Sequence, residues 1–183
     1  MAIKPKVYID SCGFIDMAKH KIGKNIGTGR ENDVWYLKKI LEAAKNGDIE
    51  VYTSTLTVAE CTHADGDISE DVKNLFRAIL TSGQYVRLVQ PDQFVAEDAR
   101  DLRWKHDISL KGADGIHVAS ALSMGCKELI TTDDEQKKIS DKPKIEALGL
   151  KILSASDTQL LPGKYLQRTI ENLSAEIDGN QKA

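Results

Sequence analysis

VYIDSCGFIDMA, residues 7–18, is the stretch on which the reading of the fold turns. Val7, Tyr8 and Ile9 form a short β-branched and aromatic run that stops at an acid, Asp10. Ser11 then opens a segment in which Phe14, Ile15, Met17 and Ala18 supply an apolar helical face. A buried strand turning at once into a helix is half of an α/β unit, and four more strand-like runs follow, at 50–53, 85–89, 128–131 and 151–153. Helical patterns fill the gaps between them. Val34, Leu37, Leu41 and Ala44 recur at helical spacing from Asn32, a capping residue type, until Gly47 ends the pattern. Residues 54–61 form a short helix, and Ser69 caps a longer one carrying Val72, Leu75, Phe76, Ile79 and Leu80 as far as Gly83. Pro91 opens the helix of Phe94, Val95, Ala99 and Leu102, Gly112 leads into a small-residue helix closed near Gly125, and Pro143 splits the helical region after it. Strands alternating with helices call for a parallel sheet, because parallel neighbours need a crossover connection. The expected fold is therefore a three-layer α/β/α sandwich with about five parallel strands over residues 1–155. Residues 156–183 read as a helical extension and tail, with Leu166, Ile170, Leu173 and Ile177 on one stripe over 163–179.

The chain has 183 residues, 41% of them hydrophobic and 29% charged, which suits one compact domain with a core that needs no staple. Its three cysteines, Cys12, Cys61 and Cys126, are odd in number, far apart and without C-x-x-C spacing. That excludes a disulfide framework and a zinc knuckle and fits a reducing, cytoplasmic setting. The start of the chain lacks the apolar core of an export signal, and no run approaches the length of a membrane span. The net charge of -3 gives no overall basic footprint. A cluster of acids holding two divalent ions would nevertheless turn that balance positive, so a phosphate-backbone substrate is not excluded.

In an open α/β sheet, ligands bind beyond the carboxyl ends of the strands, and Asp10 and Asp133 fall there. Glu60 follows the second strand by one or two helical turns, and Asp114 sits in the first turn of the small-residue helix, whose N-terminus is locally positive. Taken singly, each acid is explained as a cap or a solvated residue. Together they are not, because Glu60 stands among Leu56, Val58, Ala59 and Cys61, and Asp114 among Ala113, Ile116, Val118 and Ala119. Partly buried acids must be paired, protonated or bound to metal. Four carboxylates about 6 Å apart would repel by roughly 2 to 3 kcal/mol per pair at an effective dielectric near 20. Lys111 is the one base within a few residues of Asp10, Glu60 or Asp114, so a divalent cation is the natural counter-charge, and oxygen ligands favour Mg²⁺ or Mn²⁺. The chemistry implied is metal-assisted phosphodiester hydrolysis.

The strings VYIDSCGFID, TSTLTVAE, LKGADGIHVASAL and ELITTDDEQ resemble, in order and spacing, the four acidic motifs of the PIN-domain ribonucleases, especially the VapC-like toxins. The resemblance covers about residues 6–155, and EDARDLRWKHDISLKGADGIHVASAL is its nearest stretch. It implies that Asp10, Glu60, Asp114 and Asp133 are the catalytic, metal-binding acids and that Ser11 and Thr131 order the site. It implies a single-stranded or structured RNA substrate, cleavage by metal-activated water, homodimers and, for a toxin of a type II toxin–antitoxin pair, a separate antitoxin protein. Cys12 stands where the family's first motif has a small polar residue. The rival from another class is a catalytically silent PIN-like module that binds RNA or protein.

His117, one turn after Asp114, is a structural histidine or one that supports the site, with contact to metal, water or phosphate as the sharper alternative. Asp134 is a helix cap or an alternative fourth ligand, and Asp16 reads as helix surface. Arg100, Arg103, Lys105 and Lys111, with Trp104 and His106, make the best basic and aromatic cluster for an RNA strand, against the plain reading of a solvated helix back. Lys21, Lys24 and Arg30, in a glycine-rich loop, are similar. Cys61-Thr62-His63 lacks a second ligand pair for zinc, and an aspartyl phosphotransferase would need a second Asp where Cys12 stands. No P-loop or dinucleotide-binding glycine turn occurs.

Overall fold

The structure is a computed structural model, and it describes residues 4–133 and 141–167. Five strands, β1 (Lys6–Ile9), β2 (Glu50–Ser54), β3 (Arg87–Val89), β4 (Glu128–Ile130) and β5 (Lys151–Leu153), form one sheet in the order β3-β2-β1-β4-β5. Every pairing is parallel, with Tyr8 opposite Tyr52 on one side and Leu129 on the other. The helices are α1 (Ser11–Lys21), α2 (Arg30–Lys45), α3 (Thr55–Glu60), α4 (Glu70–Phe76), α5 (Gln93–His106), α6 (Gly112–Ser123) and α7 (Lys142–Ala147).

The strand alternation expected of a sheet buried on both faces is visible in β1. Val7 and Ile9 join one core with Phe14, Val34, Leu37, Ile40, Val72 and Phe76 of α1, α2 and α4. Tyr8 joins the other, with Leu102, Val118, Ala121 and Ile145 of α5, α6 and α7. Crossovers of one hand send the helices of connections running in opposite directions to opposite faces. The chain runs outward from β1 through β2 to β3, then returns past β1 to β4 and β5. The carboxyl ends of β1 and β4 thus form the switch point where α/β folds open a crevice.

Close packing under that point depends on one glycine. A Cβ at Gly13 would stand 3.2 Å from Ile9 Cγ2 and 3.4 Å from Leu37 Cδ1, so glycine lets α1 lie down on β1 and α2.

Several boundaries differ from the sequence reading. The second helix begins at Arg30, behind Gly29 at φ 85°, rather than at Asn32. The helix after Ser69 has no side-chain cap bond from that serine and ends in a π-helical turn, Arg77–Thr81. β3 starts at Arg87, and Asp92 rather than the proline caps α5 by accepting from the Val95 N–H. Asp16, expected on the helix surface, is 3% exposed and pairs with Arg30 at 3.3 Å. Helical periodicity alone cannot tell which face a second packed helix will cover.

Beyond β5, the chain stays on the domain. Ser156 donates from N–H and Oγ to the buried Asp33 carboxylate, Thr158 and Gln159 donate to buried Glu128, and Tyr165 packs with the α2 core while bonded to Asn46 and Asp48. Of the helix expected over 163–179, the described part is a 3-10 turn, Gly163–Tyr165. Its remainder and Asp134 lie outside the described residues.

Candidate metal centre

Asp10 directly follows β1 and is the N-cap of α1, and it is 1% exposed. Its Oδ1 accepts from the Ser11 N–H at 2.6 Å and the Ser11 hydroxyl at 3.3 Å, and its Oδ2 accepts from the Thr131 hydroxyl at 3.0 Å. A carboxylate at a helix N-terminus is favoured by the helix dipole and by the free N–H groups there. Thr131, fully buried just past β4, also accepts from the Asp133 N–H at 3.0 Å. One threonine thus ties the ends of two adjacent strands to two acids.

Glu60 closes α3, whose first turn is capped by Ser54 through the Leu56 N–H. Its Oε2 lies 3.0 Å from His117 Nε2, which is also 3.4 Å from Asp10 Oδ1. The imidazole is 2% exposed, and its other nitrogen, Nδ1, is hydrogen-bonded to Tyr8 Oη at 2.8 Å. One donor atom each from Asp10, Glu60 and His117 come within 4.8 Å of one another, the spacing of ligands around a single ion. Asp114 and Asp133 are not part of that tight set. Asp114 is half-buried in the first turn of α6, one turn before His117, and Asp133 is half-buried and held by Thr131.

The local field is negative, as two neighbouring thiols register. Cys12 is pushed up to about 12 by burial and then by the charges of Asp10, Asp133 and Asp16. Cys61 is pushed up to about 12 by burial and then by Glu60 and Asp10. The Tyr8 hydroxyl is held well above its ordinary range by burial and by Asp10. These donors fit a divalent cation: two hard carboxylates, one wholly buried, that among the described residues meet an imidazole rather than a lysine or arginine.

The basic residues of α5 have partners on their own helix or at its cap. The Arg100 guanidinium lies 4.3 Å from the Trp104 ring, Arg103 pairs with Asp107 at 3.1 Å, and Lys105 pairs with Asp101 at 2.7 Å. Lys105 lines a cleft with Ala119, Leu122 and Ser123, further along α6 than Asp114 and His117. Lys111 is the N-cap of α6, whose first turn carries Asp114.

Tyr8 was missed in the sequence, although a signal existed. It stands two residues before Asp10, so strand alternation puts both on one face.

Among known proteins, a profile of the PIN domain family matches residues 26–142. No curated protein matches the sequence. A chain in the crystal structure of VapBC2 from Rickettsia felis bound to a DNA fragment from their promoter has a TM-score of 0.52 at 12% identity, covering 81% of this chain and 97% of that one. DNA-bound VapBC from Salmonella typhimurium gives 0.51 at 14% identity, covering 82% and 98%. FitAcB from Neisseria gonorrhoeae gives 0.50 at 18% identity, covering 83% and 99%. At such identities the likeness is one of fold. No helix among the described residues is long and apolar enough to cross a membrane.

Proposed function

The chain belongs to the PIN domain family, and from that premise we propose that it is a Mg²⁺- or Mn²⁺-dependent endoribonuclease. The observation that carries this reading is the convergence of Asp10, just past β1, and Glu60, at the end of α3, on one buried imidazole with donor atoms within 4.8 Å. Capping α1 accounts for Asp10 alone and gives Glu60 no reason to meet it there.

In this reading Asp10 and Glu60 hold the ion, and Asp114 and Asp133 complete its oxygen donors from the crevice side. A bound divalent ion supplies a water of lowered pKa and offsets the charge that builds on the phosphate. The chain's own residues fix the rest. Ser11 and Thr131 lock both oxygens of Asp10, so its carboxylate meets the ion without paying reorganisation at each turnover. His117 holds Glu60 in the same way. Lys111, the N-cap of α6 and three residues before Asp114, would meet a phosphate of the strand. Arg100, Arg103 and Lys105 would act on a longer strand that runs along α5.

The VapC-like resemblance extends the proposal to the toxin of a toxin–antitoxin pair in the cytoplasm, acting as a homodimer. A separate antitoxin would mask the acidic crevice. Cleavage of end-labelled single-stranded RNA by purified protein with Mg²⁺ or Mn²⁺, beside EDTA and Asp10→Asn, tests the core of the proposal. Metal-dependent cleavage that vanishes in Asp10→Asn supports it. RNA binding without cleavage under any metal would favour the catalytically silent module.

A further inference from the structure

The acids of the proposed centre are joined by a group of different chemistry. His117 is 2% exposed, and its Nε2 is directed between the two carboxylates, 3.0 Å from Glu60 and 3.4 Å from Asp10. Neighbouring ligands on an octahedral ion with bonds of about 2.1 Å stand about 3 Å apart. The nitrogen therefore already has the spacing of a ligand adjacent to both oxygens. A histidine that only supported Glu60 would have no need to approach Asp10 as well.

The far side of the ring bears on the same point. A metal-ligating histidine fixes its tautomer through the hydrogen bond made by its other nitrogen. Nδ1 is bonded to the Tyr8 hydroxyl at 2.8 Å, and Tyr8 is fully buried in the core of the α5, α6 and α7 face. A phenol both donates and accepts. It can donate to Nδ1 while Nε2–H donates to the carboxylates, and it can accept from Nδ1–H while the Nε2 lone pair faces an ion. The Tyr8–His117 pair thus serves the metal-free and the metal-bound protein with the same heavy-atom positions.

We propose that His117 is a direct nitrogen ligand of the cation held by Asp10 and Glu60, positioned by Tyr8, and that the site is thereby biased from Mg²⁺ toward Mn²⁺ and later first-row ions. This rests on the reading of Asp10 and Glu60 as metal ligands. Mg²⁺ demands oxygen donors, whereas imidazole suits the transition ions, so one nitrogen changes the ranking.

The test is pulsed electron paramagnetic resonance of the full chain loaded with Mn²⁺, read for nitrogen modulation of the electron spin echo. Wild-type protein should show ¹⁴N modulation, and labelling histidine with ¹⁵N should replace it with the ¹⁵N pattern. The chain has four histidines, so His117→Gln identifies the ligand by abolishing the modulation. Tyr8→Phe should keep the modulation while weakening Mn²⁺ binding by about 10- to 100-fold, the usual effect of removing the partner of a ligating histidine. In competition titrations, His117→Gln should lose more affinity for Mn²⁺ than for Mg²⁺. Mn²⁺ bound by wild-type protein without histidine nitrogen modulation would overturn the assignment of His117 while leaving an all-oxygen metal centre standing. Failure of wild-type protein to bind Mn²⁺ at all would overturn the metal centre itself. The ¹⁵N-histidine measurement uses unmutated protein and stays decisive where His117→Gln does not fold.

Discussion

Replacing Asp10 by Asn separates the two roles of that residue, structural cap and metal ligand. Its carboxylate and that of Glu60 have oxygens within 4.8 Å, which at an effective dielectric near 20 corresponds to a repulsion of about 3.5 kcal/mol. Asn removes that repulsion. It also turns the bonds from the Ser11 N–H, the Ser11 hydroxyl and the Thr131 hydroxyl from charge-assisted to neutral ones, at a cost of about 1 kcal/mol each. The two effects nearly cancel, so the metal-free variant should be within about 1 kcal/mol of wild type, a Tm difference of no more than about 4 °C at this chain length. With Mn²⁺ at a hundred times its Kd, wild type should gain about 2.7 kcal/mol, or roughly 5 to 10 °C, by linkage. The variant should gain nothing. Thermal unfolding followed by circular dichroism, in EDTA and in a Mn²⁺ series, reads both quantities. A fall of more than about 10 °C in EDTA would show that the Asp10 charge is itself structural, contrary to the repulsion argument. A wild-type-like rise of the variant with Mn²⁺ would refute its place in the metal centre.

Three further outcomes follow from the same structure. Thr131→Val deletes the donor to Asp10 Oδ2 and the acceptor of the Asp133 N–H, so it should cost about 1.5 to 3 kcal/mol in denaturant unfolding and weaken Mn²⁺ binding, whereas an unchanged midpoint would refute the tie between the two strand ends. Ser156→Ala removes one of two bonds to the buried Asp33 and should cost a similar amount, with faster amide exchange over residues 155–159; unaltered exchange would mean that this segment does not depend on α2. The thiol of Cys126 is pushed up to about 12, by burial first, from an ordinary value of 9.0. Its folded form therefore keeps a proton that the unfolded chain loses above pH 9, so the stability it contributes is intact below pH 9 and drains away as pH rises toward 12. Urea midpoints at pH 8 and at points between 9 and 11 should fall in wild type and fall less steeply in Cys126→Ala; parallel slopes would refute the attribution.

The fold and the candidate acids differ in how far they were legible along the chain. Runs such as residues 7–10 and 128–131, set between helical patterns, already dictate a parallel α/β sheet, because strand period, helix period and the need for crossovers are local or topological properties. Asp10 was readable because a carboxylate at a strand end is also a helix cap, two local signals in one residue. Asp16 was misread for the opposite reason. Its burial depends on its pairing with Arg30, across the glycine loop, and no periodicity within α1 encodes that. The pairing of the α5 bases was likewise not legible as a fixed arrangement: Arg103 reaches the helix cap at Asp107 and Lys105 reaches back one turn to Asp101, side-chain choices that composition does not encode.

What the sequence by itself determined is the architecture and a shortlist of acids. What the tertiary structure alone decided is which groups share a ligand-sized space: Asp10 from β1, Glu60 from α3 and His117 from α6, with Asp114 and Asp133 outside that tight set. The physical reason is range. Strand and helix preferences act over a few residues, whereas Glu60 and His117 are 57 residues apart in the chain and meet only because the sheet's switch point gathers strand ends and helix starts into one crevice.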